Sequence, residues 1–308
     1  MSHGLHQDQE IAVEQLTWRE QEVLLLLAER STNREIAEQL HLAETTVKDY
    51  VSKILSKLYV KNRRQAVTRA AALGLLDDQT RGQVSAINLP SEATPFVGRE
   101  RELVEIRQLL AGSRLLTLIG PGGIGKSRLA LKVAQQASGE YAHGVFFVPL
   151  APLNSRDRIV QAIAEAMKLP LMVQEDPQTQ LLRFLQNKNL LLVMDNFEHL
   201  LEGVQIISDI LIRAPEVTIL ATSREKLNLV SEILFIVGGM QMAAPARPPK
   251  QARNDASLLF IQSAGKVQPG FEPDGEEMTD IETICEMVAG TPLAIELAAA
   301  WLLILTLP

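Results

Sequence analysis

The sequence predicts an all-α domain, then an α/β domain with a parallel sheet and helices on both faces, then a small helical domain. Three observations carry this. From Leu16 to Leu76 the apolar residues recur at helical spacing throughout. From residue 96 onward, near-continuous apolar runs alternate with helical patterns, as in a parallel sheet buried on both sides. Within that region Gly120-Pro-Gly-Gly-Ile-Gly-Lys-Ser127 lies between an apolar run, Arg114–Ile119, and a helical pattern, Ser127–Ala134. The expected division is a polar tail at 1–15, a helical domain at 16–76, a linker at 77–95, the α/β domain at 96–244 and the final helical domain at 245–308.

The chain has 308 residues, 46% of them hydrophobic and 22% charged, enough for several packed cores. Net charge is −7, so the whole molecule is no generic polyanion binder. The sign is uneven, however. From Glu44 to Arg69 there are seven Lys or Arg (48, 53, 57, 61, 63, 64, 69) against Glu44 and Asp49, a local basic patch. A single cysteine, Cys285, rules out an internal disulfide framework and fits a reducing compartment. It lies in an apolar helical pattern and reads as a buried thiol. The five histidines are scattered, without metal-site spacing. The N-terminus lacks the basic-then-apolar form of a leader, and no apolar run reaches membrane-spanning length. Cytoplasmic localisation and no membrane partner are the resulting expectations.

In the helical domain Thr17 with Glu20 forms a capping box, and Leu24, Leu27 and Ala28 form one face. Ser31-Thr-Asn33 breaks that helix and caps the next, which carries Ile36, Ala37 and Leu40 and ends near His41. A third helix runs from Glu44 to Leu58 with Val47, Val51, Ile54, Leu55 and Leu58 as its buried stripe. A fourth covers Arg64–Leu73, with Gly74 past its end. Two short helices joined by a tight turn, the second basic on its open face, make a helix-turn-helix.

The segments Leu16-Thr-Trp-Arg-Glu-Gln-Glu-Val-Leu, Asn33-Arg-Glu-Ile-Ala, Thr45-Thr-Val-Lys48 and Val60-Lys-Asn-Arg63 resemble the LuxR-type DNA-binding domain over residues 16–76. The resemblance implies that the third helix enters the major groove. Thr45, Thr46, Lys48, Asp49, Ser52 and Lys53 would then face DNA, and Lys61, Asn62 and Arg63 would touch phosphate. Ala43 stands where that family usually has a capping Ser, a loss of about 1 kcal/mol. Arg30 and Tyr59 replace residues that are usually Gly. The alternative for this domain is a helical protein–protein module.

In the α/β domain, Gly120–Ser127 fits the phosphate-binding loop G-x-x-x-x-G-K-[ST]. Its glycines let successive N–H groups point at a phosphate, and the helix that follows adds a positive dipole end. Gly120, Gly122, Gly123, Ile124, Gly125 and Arg128 belong to this cofactor-binding set. Lys126 is expected on the β- and γ-phosphates and Ser127 on Mg²⁺. Further strands are expected at Gly144–Val148, Asn189–Asn196 and Val217–Ser223, making four. Helices are expected at Glu100–Leu110, Ile159–Met167, Gln180–Gln186 and Leu201–Ile212. Ligands in such sheets sit at the carboxyl ends of strands. Asp195 ends one strand and is expected to hold Mg²⁺. Arg224 follows another and can sense the γ-phosphate or stabilise its transition-state charge, which makes Lys126, Asp195 and Arg224 the expected catalytic residues. Glu198 could position a water as base or simply cap a helix.

A Pro-rich turn at Pro245–Lys250 separates off helices at Ala256–Ala264 and Ile281–Val288, followed by Gly290-Thr-Pro-Leu-Ala-Ile-Glu-Leu-Ala298. Phe96-Val-Gly-Arg-Glu100, the phosphate loop, Val193-Met-Asp-Asn196, Thr222-Ser-Arg224 and Gly290-Thr-Pro-Leu-Ala294, in that order, resemble the NB-ARC class of STAND signalling ATPases over residues 95–305. That resemblance implies ATP or ADP as cofactor, Val97 and Arg99 at the adenine pocket, and Pro292 packing on the nucleotide from a helical lid. Thr291 departs from the commoner Leu. Members continue into a winged helix and a sensor region, so a fragment is expected here.

Together the two resemblances imply a transcription regulator switched between ATP and ADP, with slow hydrolysis at most. Its expected partners are a two-fold DNA site, a second copy on activation, and an unknown inducer. Two alternatives stand beside this: a constitutive DNA-binding protein whose ATPase module serves assembly, and a P-loop kinase with an accessory domain.

Overall fold

The computed structural model describes residues 16–40, 42–73, 75–76, 87–91, 94–242 and 254–304. The expected tail at 1–15, the helix end at His41, Gly74, most of the linker at 77–95, the Pro-rich turn at Pro245–Lys250 and the last four residues lie outside them. The chain divides into two compact units, residues 1–86 and 87–308.

Among the described residues the first unit holds four helices, α1 (Trp18–Ala28), α2 (Asn33–Leu40), α3 (Glu44–Lys57) and α4 (Arg63–Ala72). Thr17 and Glu20 form the expected capping box on α1. A second box starts α2, where Glu35 N–H donates to Thr32 Oγ1 and Thr32 N–H to Glu35 Oε2. Asn62 caps α4 through Gln65 N–H at 2.9 Å. Val47, Ile54 and Leu58 of the α3 stripe are fully buried against Val23, Leu24, Ile36 and Ala66, while Val51 and Leu55 are partly buried. On α1 the buried face is Val23, Leu24 and Leu27, with Ala28 at its margin.

The second unit is a five-stranded parallel sheet of β1 (Leu115–Ile119), β2 (Val145–Pro149), β3 (Leu190–Asp195), β4 (Val217–Ser223) and β5 (Ile233–Ile236). Its order is β2-β3-β4-β1-β5. Residues 115 to 118 are all fully buried, which is why β1 reads as an apolar run interrupted only by Thr117 rather than as an alternating one. Helices α5 (Glu100–Gly112) and α6 (Lys126–Gln136) supply Leu103, Ile106, Leu129 and Val133 to the core that includes Leu116, Leu118, Leu191 and Leu220. Helices α7 (Ile159–Ala166) and α9 (Gln205–Arg213) pack on β2 and β4, and α8 (Pro177–Leu185) packs against both of them.

The strand count corrects the expectation of four. Among the described residues β5 is a short edge strand that pairs only with β1. Two helix boundaries also shift. α8 starts earlier than expected because Pro177 occupies its first turn and Asp176 caps it at 2.7 Å through Thr179 N–H. The expected Leu201–Ile212 helix is a 3₁₀ turn, Leu201–Gly203, followed by α9.

Beyond residue 254, α10 (Asp255–Val267), α11 (Gly275–Met287) and α12 (Pro292–Ala300) pack around their own core of Leu259, Phe260, Ala264, Ile281, Cys285 and Ile295. Main-chain contacts join this core to the sheet's far end. Met240 N–H donates to Gly290 O at 2.8 Å. Gly239 and Gly290 lie so close that a Cβ on Gly290 would sit 2.6 Å from Met240 O.

Candidate functional site

β4 lies between β1 and β3, so three strand ends open side by side. β1 delivers the phosphate loop, β3 delivers Asp195, and β4 delivers Thr222 and then Arg224. The loop turns on Gly123 (φ +75°) and Gly125 (φ +92°), which lets α6 begin at Lys126 with its first N–H groups facing the loop. Lys126 is 8% exposed, and its Nζ donates to Gly120 O at 2.8 Å and Pro121 O at 3.0 Å. Burial lowers its pKa. Glu198 and Asp195 oppose that shift and Arg224 adds to it, so the four charges share one field.

Thr222 fixes the β3 end. Its Oγ1 donates to Asp195 Oδ1 at 2.6 Å and accepts Asn196 N–H at 2.9 Å. Asn196 takes a left-handed conformation (φ +71°), and the following 3₁₀ turn, Phe197–His199, is pinned by the fully buried Phe197. That turn presents Glu198, whose Oε1 lies 3.1 Å from Arg224 Nε. The Arg224 guanidinium also covers Gly122, where a Cβ would meet Nη2 at 3.3 Å. Ser127 is half-buried in the first turn of α6. Its hydroxyl and the Asp195 carboxylate are oxygen donors of the kind Mg²⁺ takes alongside phosphate and water. Among the described residues no three His, Cys, Asp or Glu side chains cluster as a metal site of their own.

The start of α12 closes the loop from the other side. Leu293 N–H donates to Gly123 O at 3.2 Å, and a Cβ on Gly123 would lie 2.9 Å from Leu293 Cβ. Pro292 Cγ would be 3.7 Å from a Cβ on Gly125. Arg99 holds the loop from behind. Its Nη2 donates to Ile124 O at 2.8 Å and Gly238 O at 3.0 Å, and its own N–H donates to Asp255 Oδ2 at 2.8 Å. Burial lowers the Arg99 pKa, with Glu102 and Asp255 opposing.

The structure thus brings Gly120, Gly122, Gly123, Ile124, Gly125, Lys126, Ser127, Asp195, Arg224 and Pro292 to one place. Two further residues of the cofactor-binding set make other contacts. Val97 packs against the α10–α12 core, and Arg128 donates through Nη2 to Thr94 O and Pro95 O, both at 3.0 Å. Leu293, Asp255 and the pairing of Glu198 with Arg224 were not foreseen. The first two join positions far apart in the chain, for which local spacing carries no signal.

On the first unit, Thr45, Lys48, Asp49, Ser52 and Lys53 are exposed along one side of α3 and Thr46 is half-buried. Lys61, Asn62 and Arg63 are exposed at the turn into α4. Two of these also serve the fold: Asn62 caps α4, and Arg63 Nη2 donates to Ser31 O at 2.6 Å. Ala43 makes no side-chain cap on α3. Lys57 leaves the basic patch, because its Nζ meets the buried Glu20 carboxylate at 2.9 Å.

Residues 14–70 match the family model described as bacterial regulatory proteins, luxR family, and residues 109–237 match that of an AAA domain. The Mycobacterium bovis protein Mb0918 is 38% identical over 208 residues, 67% of this chain. The chain spans about half the length of that relative, the match covering 50% of it. The transcriptional regulatory protein DesR of Bacillus subtilis is 49% identical over 59 residues, 19% of this chain and 30% of DesR. Among solved structures, the Walker-type ATPase of Pyrococcus abyssi aligns over 68% of this chain and 71% of its own, at 13% identity and a TM-score of 0.48.

Proposed function

The chain carries a luxR-type helix-turn-helix domain and a P-loop ATPase domain, and from that premise we propose that it is a transcription regulator of the STAND class, switched by ATP and ADP. Residues 16–76 bind DNA as a two-fold pair, residues 96–244 bind nucleotide with Mg²⁺, and residues 245–308 form a lid. One observation supports the switch above others: the first turn of α12 rests directly on the phosphate loop through Leu293 and Pro292. A phosphate entering the loop must either keep that contact or break it. A ligand moves such an equilibrium only by its differential affinity for the two states. The γ-phosphate, which Lys126, Ser127 and Arg224 would hold, supplies the difference between ATP and ADP. Mg²⁺, when bound, neutralises phosphate charge, with Ser127 and Asp195 as its protein donors. The lid state then controls self-association, and an inducer acts from outside these residues. Hydrolysis is slow and resets the switch.

The test has two readings. The purified protein is denatured and the released nucleotide identified by base and phosphate count; bound ADP near one per chain is expected. DNA affinity of the full chain is then measured with ATP and with ADP. A difference of about tenfold or more, some 1.4 kcal/mol of coupling, is expected. Equal DNA affinity in both states would sink the switch and leave a constitutive DNA-binding protein.

A further inference from the structure

We propose that Glu198 is the base that activates water for hydrolysis, and that its ion pair with Arg224 withholds it until a γ-phosphate draws Arg224 away. This rests on the nucleotide-binding reading above and names a residue and a regulation for that site.

The position directly after Asp195 is held by a neutral amide, Asn196, whose N–H is bound to Thr222. Asp195 accepts from the same Thr222 and is the candidate metal donor. Of the carboxylates whose charge reaches Lys126, that leaves Glu198. Its side chain is 14% exposed, and one oxygen, Oε1, meets Arg224 Nε at 3.1 Å. The other, Oε2, is buried with no hydrogen-bond partner. A buried, unpartnered carboxylate oxygen is costly to maintain, and its lone pairs are free to receive a proton. Arg224 spans from Glu198 to Gly122, so Glu198 stands one guanidinium's length from the loop that would hold the phosphates.

Arg224 cannot serve both anions with the same N–H groups. Its own side chain is 64% exposed and free to swing. When it turns to the γ-phosphate, the Glu198 carboxylate is released from its ion pair and can accept the proton of a water. Water then attacks the γ-phosphorus. The bond from that phosphorus to the β–γ bridging oxygen breaks, and ADP leaves with its electron pair. The water's proton passes to Glu198 and from it to solvent. The sensing of ATP and the readiness to cleave it are thereby one event.

The experiment uses the full chain with Mg²⁺, and follows ATP and ADP binding by calorimetry and phosphate release in a single turnover. Glu198→Gln is expected to slow phosphate release by about 100-fold or more, the scale of a lost general base. It also frees Arg224, so ATP should bind roughly threefold to fivefold tighter while ADP is unchanged, the scale of one partly exposed ion pair. A residue with only a structural role would not move one nucleotide and spare the other. Glu198→Asp keeps a carboxylate but shortens its reach to Arg224. It should retain measurable turnover and show the same shift toward ATP. Turnover in Glu198→Gln within about threefold of the parent, or an unchanged ATP-to-ADP ratio in both variants, overturns the proposal. A parent chain that binds both nucleotides but releases no more phosphate than Lys126→Ala overturns it too, and leaves the switch standing. Failure to bind either nucleotide removes the switch reading itself.

Discussion

Arg30 and Tyr59 are non-glycine residues held at positive φ, +65° and +52°, in the turns after α1 and α3. Left-handed backbone costs an L-residue roughly 1–2 kcal/mol. Both side chains are exposed, so nothing in the core repays that strain. Arg30→Gly and Tyr59→Gly should each stabilise the first unit by about 0.5–1 kcal/mol, read as a rise in denaturant midpoint at constant slope. Ala43→Ser should add about 1 kcal/mol by restoring the cap that α3 lacks. The sequence carried these positions through departures from a familiar pattern, and the backbone angles give them a physical meaning. Lys57 shows where residue-level reading stops. Counting charge placed it in a basic patch, but only tertiary contact could show that Glu20 neutralises it. At the phosphate loop, Lys126→Ala should abolish nucleotide binding in calorimetry, since Lys126 is the one loop cation 8% exposed and central to its field.

Among elements, long buried strands and amphipathic helices were legible because their patterns are set by burial on known faces. β5 was not. It has four residues, one partner strand and a mixed burial pattern. It also follows β4 through residues 224–232 without a helix, whereas parallel strands are ordinarily linked by one. The alternation rule that found the other strands therefore passed over it. The junction between the sheet and α10–α12 was also invisible beforehand, because it is made of backbone. Gly290 sits at φ +64° against Met240 O. Gly290→Ala should therefore destabilise the second unit by about 2 kcal/mol or more, seen as a lower thermal midpoint. Arg99→Ala should cost a similar 2–3 kcal/mol, since Ile124 O and Gly238 O lose a buried charged donor together. Inside the helical core, burial pushes the Cys285 thiol up to about 11. At pH 8 it is then almost wholly protonated, so alkylation should be slow in the native protein and fast once it is unfolded.

For the whole molecule, the net charge of −7 conceals an open cationic face on α3 and the turn after it. DNA affinity should therefore fall steeply with salt. If Lys61 contacts phosphate as proposed, Lys61→Ala should flatten the slope of log K against log salt by about 1. The same change at Lys57 should instead lower stability, because the buried Glu20 would lose its counter-charge. The sheet order also belongs to this scale. The chain sends β4 between β1 and β3, and that crossover brings residues from 120, 195 and 224 to one edge. The motifs name these residues one by one, but only the topology makes them neighbours. One contact there has a further use. Leu293 is the second residue of α12, where an amide has no acceptor within its own helix. Its acceptor is Gly123 O, inside the phosphate loop. Protection of this single amide against deuterium is therefore lost whenever α12 parts from the loop. Its exchange rate is a built-in clock for that motion, readable residue by residue in solution without any label.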